Sequence, residues 1–248
     1  MKIFCLSDPH LGFSVNKSMD IYGPLWENHP EKIRHNWSAK VNENDLVIVP
    51  GDISWANNAE QVKADMDFFA TLPGKILFGK GNHENWWNSY NKTRQIIPDN
   101  ATLLDASHPY YGDDLMIVGT RMWDNIDLTF LPWIQLNENS DKNDILPKDI
   151  ENTQKIFNRE VERLKRCLNE LGDVKHRIAA LHYPPTTPEF ITTIVTDLLS
   201  EAHIQHCVFG HIHSMKKGTV FNGKIDDVQY HCCSCDYINF DPVLITEI

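Results

Sequence analysis

The sequence predicts an α/β protein built on a buried parallel or mixed sheet, and three observations carry that prediction. Five short apolar runs each end in Asp, Asn or His. Two β-loop-α-β units follow one another in the first hundred residues, the pattern of an α/β layer. The run at 45–50, Asp-Leu-Val-Ile-Val-Pro, holds consecutive Leu and β-branched residues and so suits a strand covered on both faces.

Taken in order, residues 2–7 form the first strand-like run and lead into Asp8-Pro9-His10. A polar and aromatic stretch, 11–28, reads as a long loop. Pro30 then opens a helix carrying Ile33, Trp37 and Val41 at helical spacing. The run ending at Val49 delivers Gly51-Asp52, and a helix over 59–72 stops at Pro73-Gly74. The strand at 75–78 leads into Gly79-Lys80-Gly81-Asn82-His83-Glu84, followed by an expected helix from about 86 to 97.

Residues 115–119 read as another buried strand, and 121–147 lack clear periodicity. Residues 149–171 place Ile150, Phe157, Val161, Leu164, Leu168 and Leu171 on one helical face, with Gly172 as the stop. The run at 177–181 leads into His182, and that at 206–209 into Gly210-His211-Ile212-His213. Beyond it, Asn222-Gly223 carries a hairpin signal, 228–238 alternates like a strand, and 243–245 supplies a last one.

At 248 residues one domain spanning 1–248 is expected. Apolar residues make up 42% and charged residues 23%, ordinary for a globular chain. The 23 Lys and Arg stand against 34 Asp and Glu, and the resulting formal charge of −11 disfavours a partner such as nucleic acid or an anionic membrane. No stretch reaches transmembrane length, and the amino terminus carries no signal-like segment, so a cytoplasmic location is expected. The six cysteines are read as reduced thiols. His231-Cys232-Cys233-Ser234-Cys235 lacks the second pair that a zinc-finger spacing demands.

The run ends gather carboxylate oxygens and imidazole nitrogens, a donor mixture that suits Mn²⁺, Fe or Zn²⁺ better than Mg²⁺ or Ca²⁺. Two Asp, one Asn and four His make seven candidate ligands. That is too many for one catalytic ion with an open position and right for two ions sharing a carboxylate. His29, His35, His108, His176, His203 and His206 read instead as packed or exposed side chains.

Asp8-x-His10, Gly51-Asp52, Gly81-Asn82-His83-Glu84, His182 and Gly210-His211-x-His213 together resemble the motif set of the calcineurin-like metallophosphoesterase superfamily, in the family's order. The resemblance implies a four-layer α/β/β/α sandwich with two mixed sheets and a dinuclear metal centre. It implies one divalent transition-metal ion on Asp8, His10 and His213, another on Asn82, His182 and His211, and Asp52 bridging them. Mn²⁺ fits first, with Fe or Zn²⁺ alongside. It further implies that His83 binds no metal and acts on the leaving oxygen or the phosphoryl group. Glu84 stands where many relatives have Asp.

The expected activity is metal-dependent hydrolysis of a small phosphodiester, phosphomonoester or nucleotide by a metal-activated water. A nuclease is the second reading, opposed by the acidic balance. A non-catalytic scaffold is the third, opposed by the presence of every motif residue. Trp26, Trp55, Trp86, Trp87 and Trp123 fall near strand ends, where a flat group of the substrate can stack. Residues 121–148 are expected to form a lid over the mouth, with Arg121 pairing to a phosphate oxygen.

Overall fold

A computed structural model describes residues 1–135 and 149–248. The first half alternates strand and helix: β1 (Lys2–Cys5), α1 (His29–Lys40), β2 (Leu46–Val49), α2 (Ala59–Ala70), β3 (Lys75–Phe78), α3 (Tyr90–Thr93) and β4 (Ala101–Leu103). The second half runs β5 (Tyr110–Gly112), β6 (Leu115–Thr120), α4 (Ile150–Asn169), β7 (His176–Leu181), α5 (Ile194–Glu201), β8 (His206–Phe209), β9 (Asn222–Ile225), β10 (Val228–Cys232) and β11 (Val243–Glu247).

These strands form two mixed sheets, ordered β11-β1-β2-β3-β4 and β5-β6-β7-β8-β10-β9. Within each the central strands are parallel, while β11, β5 and β9 pair antiparallel at the edges. Period-two alternation divides the side chains. Val47 and Val49 of β2 pack with Ile33 and Trp37 of α1 and Met66 and Phe69 of α2. Leu46 and Ile48 face the other way and meet Ile117, Ile178 and Val208 of the second sheet. On the far side of that sheet Met116, Val118 and Phe209 pack with Phe157, Val161 and Leu164 of α4 and with Leu199 of α5. The order helix, sheet, sheet, helix is the expected four-layer sandwich.

Local chemistry sets the helix ends. Asn58 caps α2 by accepting the Glu60 and Gln61 N–H groups, and Asp149 caps α4 by accepting that of Asn152. Three expectations need correction. The helix foreseen over 86–97 shrinks to Tyr90–Thr93, because Trp86 and Trp87 turn into the core and Asn85, Asn88, Ser89 and Asn91 are weak helix formers. Asn222-Gly223 lies inside β9, and the hairpin turns at Asp226-Asp227 with Asp226 left-handed at φ 49°. The run foreseen as a strand to 238 leaves the sheet after Cys232.

Candidate metal centre

Parallel strands all deliver their carboxyl ends to one edge, and each motif residue sits just past such an end. Asp8 and His10 follow β1, Asp52 follows β2, and Asn82 and His83 follow β3. From the second sheet His182 follows β7, and His211 and His213 follow β8. Backbone bonds lock these ends together. Asp8 donates its N–H to Gly51 O at 3.1 Å, His10 donates to Asp52 O at 3.0 Å, and Gly210 donates to His182 O at 3.1 Å. The His211 N–H reaches both Asp8 carboxylate oxygens at 3.0 Å and so joins the two sheets.

Four of the motif residues hold left-handed backbones: Asp8 (φ 58°), His10 (44°), Asp52 (51°) and His211 (73°). Such a conformation costs on the order of 1 to 3 kcal/mol at a non-glycine residue and clusters at functional sites. The motif glycines are steric necessities. A Cβ on Gly81 would overlap the Asp52 carboxylate, and one on Gly210 would overlap the Asp8 carboxylate and the Ser7 side chain.

The side chains converge as two groups, Asp8 with His10 and His213, and Asp52 with His182 and His211, each with donor atoms within 4.8 Å of one another. His10 Nε2 lies 3.1 Å from His213 Nε2, and Asn82 Oδ1 lies 2.9 Å from His182 Nε2. Asp52 stands between the groups, its Oδ2 3.8 Å from His10 Nε2 and 3.4 Å from His182 Nε2. All seven expected ligands therefore share one site. Burial lowers the His10 and His211 pKa well below the imidazole range, which keeps both rings neutral. Burial pushes Asp52 up, but the facing imidazoles of His182, His10 and His83 outweigh it and hold the carboxyl well below its usual range. Buried anionic oxygen beside neutral nitrogen is the donor chemistry of a divalent transition metal.

Two acidic residues organise these groups, Glu84 at the end of the Gly-Asn-His motif and Asp236 outside every motif. Asp236 Oδ1 accepts from His213 Nδ1 at 2.8 Å, which turns the His213 Nε2 toward His10. Glu84 accepts backbone N–H groups from Gly81 and Ile53 at 2.6 Å, from Asp52 at 3.0 Å and from Ser54 at 3.4 Å. One carboxylate thus pins the loop after β2 to the loop after β3. Glu84's place beside the Gly-Asn-His motif was a signal of sorts; Asp236 had none.

His83 is set apart. Its N–H donates to Asp52 Oδ1 at 2.9 Å, while its ring, 37% exposed against 0% for His182, lies toward solvent with Nε2 3.8 Å from Asp52 Oδ2. Trp55 packs on site histidines, with centroids 4.7 Å from His10 and 4.2 Å from His83, and Lys17 Nζ lies 3.1 Å from its ring centre. Trp26, Trp86 and Trp87 are core residues. Arg121 stacks on Trp123 at 4.4 Å and stands 3.8 Å from Glu160.

Of the expected lid, residues 136–148 lie outside the described residues. Its first part runs past the site, bringing Asp124 Oδ1 to 4.0 Å from His211 Nε2. It is tied to the loop after His213 by Gln135 N–H to Ser214 O and Lys216 N–H to Trp133 O, both 2.7 Å. All six cysteines are free and buried. Among the described residues no helix is long and apolar enough to cross a membrane.

The phosphopantetheinyl hydrolase PptH from Mycobacterium tuberculosis has a structure similar to this one, with a TM-score of 0.51 and 15% identity over 92% of this chain and 87% of that one. The protein of unknown function AQ665 from Aquifex aeolicus aligns with a TM-score of 0.49 and 11% identity over 98% of this chain and 94% of that one. No curated protein matches the sequence. The family model for calcineurin-like phosphoesterases matches residues 1–215, and the chain belongs to that family.

Proposed function

We propose that the chain hydrolyses a phosphoester bond of a small substrate, with two divalent transition-metal ions held by Asp8, His10 and His213 on one side and by Asn82, His182 and His211 on the other, Asp52 shared. The placement of Asp52 Oδ2 between the two groups of converging donors carries this reading. Mn²⁺ is the ion we propose, since Asp, Asn and His donors mix oxygen with nitrogen. When bound, such a pair supplies positive charge for the phosphoryl oxygens and an activated water.

The chain's own groups do the rest. Asp236 and Glu84 hold the donor atoms in place, and the Asp52 carboxylate is fixed by the His83 N–H. As the bond from water oxygen to phosphorus forms and the bond to the leaving oxygen breaks, His83 gives its proton to that oxygen. Arg121 and residues 122–135 form one wall of the mouth. The free thiols fit a reducing, cytoplasmic setting.

The test combines elemental analysis with a substrate panel. Protein reconstituted with Mn²⁺ should carry two ions per chain and Asp52→Asn should lose them, because a neutral amide shares no negative oxygen. One ion or none in the unaltered protein would overturn the dinuclear assignment. The panel holds a nitrophenyl monoester, a nitrophenyl diester and nucleotides, which separates monoesterase from diesterase activity. No turnover on any of them by the two-ion protein would overturn the hydrolase reading.

A further inference from the structure

Beside the metal centre a cavity of 390 Å³ opens between the carboxyl ends of the two sheets. Pro50, Gly79 and Ala180 in its wall precede Asp52, Asn82 and His182 by two or three residues, so the Cα atoms of these wall residues lie within about 11 Å of those of the proposed ligands. The Arg121 carbonyl accepts the Tyr183 N–H at 3.0 Å, which fixes Arg121 next to His182.

The cavity's charge is opposite to the protein's. Lys80, Arg121 and Arg163 all line it, in a chain whose formal charge is −11. Among the described residues a single buried carboxylate, Glu160, serves both guanidiniums, with Oε1 at 2.5 Å from Arg163 and 3.8 Å from Arg121. The other acidic lining residue, Asp105, is engaged by the Ser107 N–H at 2.7 Å and by His108 Nδ1 at 2.9 Å. Lys80 Nζ is aimed at the Trp87 carbonyl, 3.2 Å away, which leaves its charge without a carboxylate at that contact. Three cations converging on a concave space are the arrangement that recognises phosphate, with the two guanidiniums suited to bidentate contacts.

We propose that this cavity receives a second phosphoryl group of the substrate, so that the preferred esters carry one phosphate on the metal centre and another between Lys80, Arg121 and Arg163. The substrate class rests on the hydrolase reading; anion binding in the cavity does not. It follows that the chain favours bisphosphorylated compounds over their monophosphorylated counterparts.

Two measurements test this. Metal-free protein titrated with inorganic pyrophosphate by calorimetry should bind it, and Lys80→Met and Arg163→Gln should each weaken that binding at least tenfold. Arg163→Gln takes a partner from buried Glu160, so Lys80→Met, which breaks no ion pair among the described residues, guards against a folding defect. Binding of equal strength in both variants overturns the cavity as an anion site. With Mn²⁺ present, kcat/KM for adenosine 3′,5′-bisphosphate over that for adenosine 5′-monophosphate should be at least ten, and should fall at least tenfold in either variant. An unmoved ratio in an active enzyme overturns the cavity's part in substrate choice. Loss of pyrophosphate binding in the variants, with no ester turned over by any form, supports the cavity and overturns the hydrolase reading instead.

Discussion

The Asp236 carboxylate holds His213 from behind, accepting from its Nδ1 at 2.8 Å while also accepting the Ser214 N–H at 2.7 Å. Ring tautomer and ring direction are set together by this pair, and a metal-facing nitrogen is more basic when its opposite nitrogen donates to a carboxylate. Asp236→Ala should therefore weaken metal binding about 10-fold to 100-fold, read by competition with a chelator. Unchanged affinity would show that His213 needs no such support.

The same contact predicts how the metal-free protein responds to pH. Burial works against the His213 imidazolium, but Asp236, Asp8 and Asp52 outweigh it and raise its pKa to about 9. A raised folded-state value means that the folded chain binds the proton more tightly than the unfolded one. The stabilisation is full below about 6.5 and disappears as pH climbs through 9. Metal-free protein should thus lose thermal stability between pH 7 and 9.5, by about 5 °C or more. Buried thiols push in the same direction near the top of that window, since burial raises Cys5, Cys207, Cys232 and Cys235. Asp236→Asn tests this assignment: it should flatten the lower part of the decline, and a decline as steep as before would assign it to other groups with raised values, Glu84, His182 and the thiols.

Glu84 predicts a coupled loss. Its carboxylate collects N–H groups from Gly81, Asp52, Ile53 and Ser54, and burial together with the Asp52 charge raises its pKa to about 7. A glutamine offers one acceptor oxygen and turns an amide N–H₂ toward the remaining donors. Leaving buried donors unpaired costs about 1 to 3 kcal/mol. Glu84→Gln should lower the melting temperature of the metal-loaded protein by several degrees and weaken metal binding in step, because the Asp52 and Asn82 loops lose their common anchor. A melting temperature equal to that of the unaltered protein would count against the anchor.

The proposed ligand positions converge in the fold because each stands directly past a buried strand whose apolar run announces it; β2, with Val47 and Val49 on one face and Leu46 and Ile48 on the other, is the plainest case. Asp236 was not readable. It lies in a turn inside the stretch 228–238 that alternates like a strand, and its partner is 23 residues away in sequence. β4 and β5 are three residues each, too short to show a period, and α5 relies on the Thr193 capping box more than on its eight-residue pattern. The cationic cavity could not be foreseen either, since Lys80, Arg121 and Arg163 come from three separate elements and meet only where the two sheets pack.

His83 should separate chemistry from metal binding. Its backbone N–H fixes Asp52, but its ring is the most exposed imidazole of the site, 37% against 28% for His213 and 22% for His211, and stands 3.8 Å from Asp52 Oδ2, outside both groups of converging donors. Removing the ring leaves the backbone bond and all seven proposed ligands in place, so His83→Ala should keep its two ions by elemental analysis. Proton delivery to a leaving oxygen is worth about 10² to 10⁴ in rate, most for a poor leaving group and little for nitrophenolate. The variant should accordingly lose far more kcat on an alkyl ester or a nucleotide than on a nitrophenyl ester. Equal losses on both would make His83 a stabiliser of charge on the transferring phosphoryl group, and loss of an ion would make it a ligand.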